Sequence, residues 1–216
     1  MKKTPLQKKT TLLFEQPKNE LKAFLKAMDW DTLKNYLDVS DALAKTNYER
    51  FQTFNEQYKA IEAYTGAQYK ALDYETLSTK TQRHVNKNVL IISGLYGLLR
   101  PTDTIAHYRL PMALKYISEP LHGYWKKLFS TLEFTEPIIN LASQEYSDAL
   151  PPHWDVIEIK FMSAPSMLVK KLRGLFVREV ATNSITKRDE LKQIVVDGFT
   201  YNPKASTSNQ YVFTKK

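Results

Sequence analysis

The sequence predicts a mixed α/β fold, a single domain over residues 1–216 with a central mixed sheet flanked by helices and a helical element toward the N-terminus. Three observations predict it. Apolar residues at helical spacing fill the stretch from Asn19 to about Phe54. Over residues 86–216, short β-branched runs are followed by polar loops and helices, the alternation that α/β architectures require. At 216 residues and 43% hydrophobic content, the chain can also bury a full core. No period of about 20–50 residues stands out, so a solenoid is not expected.

Within residues 19–56, Leu21, Phe24, Leu25 and Met28 follow i, i+3, i+4, i+7 spacing, and Leu33, Tyr36 and Leu37 continue it. Two or three amphipathic helices are expected. Asp31 after Trp30 is the expected N-cap of the second, and Ser40 opens a further helix toward Ala44. Lys45 to Phe51, KTNYERF, reads as a hairpin-like polar break followed by more helix. In IEAYTGAQYKA, Gly66 sits inside an aromatic stretch that fits a strand, a turn or a helix end. Leu72 to Asn88 reads as a helix ending in a basic surface turn.

Val89 to Ser93 is a β-branched run suited to a buried strand, after which Gly94 and Gly97 mark a turn or a close approach. A loop and a helix start are expected next, then an irregular stretch through HYRLPMALKY. Helix returns over Glu119 to Leu132, with Pro120 in its first turn. PIINLAS, Pro137 to Ser143, is a second strand and WDVIEIKFM a third, with a helix start in QEYSDAL between them. Ser166 to about Asn183 is a helix with Met167, Leu168, Leu172, Leu175, Phe176 and Val180 along one face. Phe199–Tyr201 and Tyr211–Thr214 read as two strands joined by a polar loop.

Composition excludes several chemistries. The chain has no cysteine, so disulfides, thiolate metal sites and cysteine nucleophiles are impossible. At the basic N-terminus only Leu12 to Phe14 are consecutively apolar, too short for a signal-peptide core or a membrane span; a soluble, cytoplasmic protein without a membrane partner is expected. His84, His107, His122 and His153 are dispersed, and no metal or cofactor is expected. Phosphate-loop, GxGxxG and GxSxG motifs are missing. The net charge of +8, from 31 Lys and Arg against 23 Asp and Glu, favours phosphate-rich partners.

Polar residues collect after the strands. Ser93, Gly94, Tyr96, Gly97 and Arg100 follow the first; Ser143, Glu145 and Tyr146 follow the second; His107, Tyr108 and Arg109 lie between. If the strands are parallel neighbours, these loops form a pocket at one edge, with arginines for phosphate and Glu145 as the candidate acid or base. The plainer reading makes Tyr96, Tyr108 and Tyr146 half-buried loop anchors and Arg100 a structural partner of Asp103. The same choice arises for Lys170, Lys171, Arg173 and Arg178, which either meet phosphate or solvate the outer face of their helix. Gly174, costing about 1 kcal/mol in a helix relative to alanine, implies close approach of a backbone or a phosphate.

ISGLYGLLRPTDTIAHYRLPM, INLASQEYS, KKLRGLFVREVATNSIT and DGFTYNPKASTSNQYVF together resemble the peroxide stress protein YaaA family, over roughly Trp30 to the C-terminus. The resemblance implies a mixed α/β fold of the family's own. It also implies largely sequence-independent binding of double-stranded DNA in a basic cleft, a helix-hairpin-helix element, and a role in limiting oxidative DNA damage and free intracellular iron. That element would fall on Asp38 to Phe51, with Leu43, Ala44 and Asn47 in matching places and Lys45 and Thr46 in a turn that normally carries glycines. Lys45, Asn47 and Arg50 thereby join Arg100, Arg109 and the basic helix as nucleic-acid candidates. One departure is at the start, where KKTPLQKKTTLLFEQP stands in place of an opening strand resembling ILISPAK. An alternative function is an enzyme acting on a nucleotide, base or damaged nucleic acid in the pocket; a third is an iron-handling or protein-partner module.

Overall fold

The structure, a computed structural model, describes residues 11–215. The expected difference at the opening strand falls largely on residues outside these. In chain order the helices are α1 (Glu15–Lys26), α2 (Trp30–Leu37), α3 (Asp41–Thr53), α4 (Ala60–Ala63), α5 (Ala67–Leu72), α6 (Thr79–Asn88), α7 (Leu121–Phe129), α8 (Gln144–Ser147) and α9 (Ser166–Thr182). The strands are β1 (Tyr58–Lys59), β2 (Ile91–Ser93), β3 (Gly97–Leu99), β4 (Thr104–Ile105), β5 (Lys115–Tyr116), β6 (Glu119–Pro120), β7 (Ile138–Asn140), β8 (Val156–Phe161), β9 (Phe199–Tyr201) and β10 (Gln210–Lys215). They form two compact units. The first takes the chain up to Ala63, Val89–Phe129 and Gln144–Ala149; the second takes Tyr64–Asn88, Ser130–Ser143 and the chain from Leu150.

In the first unit, the helical spacing read from the sequence puts Leu21 and Leu25 of α1, Leu33 and Leu37 of α2, and Ala44 and Phe51 of α3 in the interior. The N-cap of α2 is Asp29, not Asp31: Asp29 is extended and its Oδ1 accepts the Thr32 N–H at 2.8 Å, whereas Asp31 already lies in the first turn. Helix α3 is continuous, which corrects the hairpin-like break expected at Lys45 to Phe51. The run holds no glycine or proline to stop the helix, and it buries Asn47 and Phe51 while Lys45, Thr46 and Glu49 stay exposed. The turn before α3 comes instead at Asp38, whose φ is 49°.

β2 and β3 pair antiparallel as a hairpin, Ile91 opposite Leu99 and Ser93 opposite Gly97, so the helix start expected after the first strand is a strand. Helix α7 buries Leu121, Trp125 and Phe129, and Phe14 packs its ring against the last two at 5.7 and 5.6 Å. Pro120 sits opposite Lys115 in the β5–β6 pair, just ahead of α7 rather than in its first turn. Lys18 is 1% exposed, its ammonium 2.9 Å from Glu15 and 3.0 Å from Glu56. Burial of an ammonium is tolerated only with such partners.

The second unit is built on a sheet in the order β7-β8-β10-β9, with β7, β8 and β10 parallel and β9 antiparallel. This is the mixed sheet that the strand and helix alternation predicts. Ile157, Ile159 and Phe161 of β8 and Tyr211 and Phe213 of β10 meet Leu172 and Phe176 of α9 in one apolar cluster. Leu168, Leu175 and Val180 are half-buried against it, but Met167 is exposed, correcting its place on the apolar face. Helix α5 crosses α9 at Gly174, where a Cβ would stand 2.0 Å from the Gln68 carbonyl oxygen. The close approach expected at Gly174 is therefore that of a backbone. Among the described residues no helix is long and apolar enough to cross a membrane.

Candidate nucleic-acid interface

The β2–β3 hairpin is where the sequence concentrates its polar residues, and the structure turns most of them inward. Ser93 is buried; its Oγ lies 2.6 Å from the Tyr108 hydroxyl and accepts the Tyr96 N–H at 2.9 Å. Tyr96 is fully buried, and its hydroxyl accepts the Ala106 N–H at 2.9 Å. Burial pushes the Tyr96 phenol far above its ordinary range, and the Glu56 carboxylate adds to the effect. A Cβ on Gly94 would lie 2.2 Å from the Leu110 carbonyl oxygen, while Gly97 lies under the Trp125 ring. The Trp125 indole N–H closes the arrangement by donating to the Gly94 carbonyl at 2.9 Å.

Those glycines therefore admit the protein's own backbone and indole. The pocket pictured on Ser93, Gly94, Tyr96 and Gly97 is corrected accordingly: these four residues form packed interior. Its premise also fails, because β2 pairs antiparallel with β3 in a two-stranded sheet, whereas β7 belongs to the four-stranded one.

Arg100 and Arg109 remain at the surface of the first unit. Asp103 is buried and accepts the Arg100 N–H at 2.7 Å, with the Arg100 guanidinium 3.7 Å from its other oxygen. The guanidinium is 47% exposed and also donates to the Thr11 carbonyl at 3.3 Å, so it is a loose partner of Asp103 with donors left for solvent. Arg109 is exposed near Tyr146. Burial raises the Tyr146 phenol, Glu145 raises it further, and Arg109 opposes the shift. Glu145 Oε1 accepts the Met112 N–H at 2.8 Å and the Ala113 N–H at 3.3 Å. The candidate acid or base thus anchors the loop that follows Arg109.

In α3, Lys45 is exposed and Arg50 half-exposed. Asn47 is 1% exposed, its Nδ2 donating to the Leu43 carbonyl at 2.8 Å. Its expected contact with nucleic acid is corrected, since helix packing holds that side chain inside.

In the second unit, Lys170 is exposed and Lys171 holds only a 3.9 Å ion pair with Asp197. Arg178 is half-buried, and its Nη1 donates to the Leu72 carbonyl at 2.8 Å, the Asp73 carbonyl at 3.1 Å and Thr76 Oγ1 at 3.0 Å. It caps the C-terminal end of α5 through that one nitrogen. Arg173 is half-buried with its Nε lacking a hydrogen bond, and burial lowers its pKa while Glu158 opposes the shift. Ser143 is half-buried in the loop after β7, a loop shaped by Asn140. Asn140 Oδ1 accepts the Ala142 N–H at 2.9 Å and its Nδ2 donates to Glu158 at 2.6 Å.

Sequence reasoning missed Lys18, Glu56, Asn140 and Glu158. A signal existed for Asn140, which stands among small residues at a strand end where a side chain can bond the turning backbone. Among the described residues no group of three or more His, Cys, Asp or Glu could hold a metal ion. Lys45, Arg109 and Lys170, among the described residues, form no ion pair.

The sequence model of the peroxide stress protein YaaA family matches residues 1–205. Curated relatives agree along nearly the whole chain. A UPF0246 protein of Finegoldia magna is 32% identical over 218 residues, covering 94% of this chain and 88% of that one. UPF0246 proteins of Rickettsia felis and Ligilactobacillus salivarius are each 33% identical, covering 96% and 94% of this chain and 91% and 90% of theirs. A match of this length and identity, in a chain carrying the SGLYGLLRP and NLASQEY blocks, shows that the protein belongs to the peroxide stress protein YaaA family.

Proposed function

We propose that the protein binds double-stranded DNA with little regard to sequence, during peroxide stress, and shields it from oxidative damage. One observation carries this reading: in a chain of net charge +8, Lys45, Arg100, Arg109, Lys170 and Lys171 face solvent with either no ion pair or only a loose one. Cations in that state gain on meeting phosphate, because each contact releases condensed counterions, and no desolvated pair has to be broken first. No base-reading device is required. Phosphate contacts set position on a duplex, while base edges alone carry sequence.

The experiment is fluorescence anisotropy with two unrelated duplexes of equal length at one salt concentration. Equal affinities within about twofold are expected of backbone contacts. A preference beyond about tenfold for one sequence would require base readout and overturn the proposal. The role in limiting free intracellular iron rests on the family resemblance alone, and chelatable iron in peroxide-treated cells with and without the protein tests it.

A further inference from the structure

We infer that, among the described residues, Met162 and Met167 are the sites of reversible oxidation by peroxide, and that the Met167 sulfoxide weakens the hold of α9 on phosphate. The chain has no cysteine, so the thioether is the sulfur group left for two-electron oxidation. Among the described methionines, Met112 is fully buried and Met28 half-buried, whereas Met162 is 48% exposed and Met167 66% exposed. Both lie where β8 hands over to α9: Met162 directly follows the strand, and Met167 is the second residue of the helix. A peroxide molecule reaches these two sulfurs without any opening of the core.

The chemistry balances with hydrogen peroxide as the oxidant. A sulfur lone pair attacks one peroxide oxygen, the S–O bond forms and the O–O bond breaks. The other oxygen leaves with the bonding pair and takes the proton of the transferred hydroxyl. Thioether and peroxide become sulfoxide and water; sulfur loses two electrons and peroxide gains them.

The consequence follows from helix geometry. Lys170 and Lys171 stand three and four residues after Met167, on the same face of α9, and side chains on a helix lean back toward its N-terminus. Both lysines are exposed and Lys171 is paired only at 3.9 Å. A sulfoxide oxygen beside them is a much stronger acceptor than the thioether sulfur, and it draws an ammonium away from phosphate. This consequence rests on the proposed DNA reading; the oxidation sites themselves do not.

The test uses the full chain, graded hydrogen peroxide, peptide mass spectrometry and anisotropy on a short duplex. Sulfoxide is expected first at Met162 and Met167, ahead of Met28 and Met112. Duplex affinity is expected to fall about fivefold, the size of one ordinary hydrogen bond, and to recover after enzymatic reduction of the sulfoxide. A Met162→Leu/Met167→Leu chain, which keeps the apolar bulk without the sulfur, should bind as before and not respond to peroxide. Oxidation reaching Met28 or Met112 first overturns the site assignment. An equal loss of affinity in the double variant, or no loss with both sulfoxides formed, overturns the consequence. If the untreated protein does not bind a duplex at all, the DNA reading fails together with the consequence, and the mass spectra alone decide the oxidation sites.

Discussion

Lys18 shows how a single side chain defeats a periodic pattern. It sits on α1 beside apolar residues but is 1% exposed, held by Glu15, itself 47% exposed, and by Glu56, whose side chain is 4% exposed. The two carboxylates are not equivalent. Removing Glu56 leaves an ammonium buried with one partner near water, so Glu56→Ala should cost about 3–5 kcal/mol in urea denaturation, while Glu15→Ala should cost under about 1 kcal/mol. Equal costs for the two would mean that burial does not set the value of the pair. Tyr36 offers a second check. Its phenol, raised from 10.0 to about 12 by burial, donates to the Lys115 carbonyl at 2.7 Å, and the Tyr124 phenol is likewise raised to about 12 by burial first. The folded state holds these protons more tightly than the unfolded chain does. The stabilisation is therefore complete below about pH 10 and lost as pH rises toward about 12. Tyr36→Phe should flatten that alkaline loss measured by circular dichroism, and an unchanged profile would remove Tyr36 as its source. Of these residues, Tyr36 was legible as core-facing from its spacing with Leu33 and Leu37. Lys18 and Glu56 were not, because their separation of 38 residues is closed only by tertiary packing.

Among the elements, the longest and most periodic read most faithfully. Helix α9 and strands β8 and β10 fall where apolar runs and helical spacing put them. What failed was pairing. Nothing local in VLIIS tells whether the strand will sit in a parallel sheet or fold back on the residues that follow Gly94, and the hairpin is decided by what packs on it: the Leu110 carbonyl, Trp125 and Tyr108. The break expected in α3 failed for a different reason. Lys45, Thr46 and Asn47 are polar, but polarity alone does not end a helix, and Thr46 merely bonds back to the Ala42 carbonyl at 2.9 Å. At the α5–α9 crossing, Gly174→Ala would drive a Cβ into the Gln68 carbonyl, 2.0 Å away. Backbone must move to admit it, so a loss of about 2–3 kcal/mol is expected despite alanine's better helix propensity. Thermal denaturation checks this, and a more stable variant would show that the crossing is loose.

At the scale of the whole molecule, charge is the property that composition reveals and folding leaves in place. Of the cations singled out in the sequence, Arg178 gives one nitrogen to a helix end, Arg50 and Arg173 are half-buried, and Lys45, Arg100, Arg109, Lys170 and Lys171 stay at the surface. That division could not be read from residue types, since Arg178 and Lys170 look alike on a helical wheel and differ only in what α5 offers one of them. Duplex affinity measured as a function of salt is the direct test of phosphate binding by the cations that remain. With five such contacts, the dissociation constant should rise about 500-fold between about 50 and 200 mM salt, and each charge-removing variant, Lys45→Gln or Arg109→Gln, should lower the slope by about 0.9. An affinity that stays flat across that range, or a slope that neither variant changes, would contradict DNA binding through these residues.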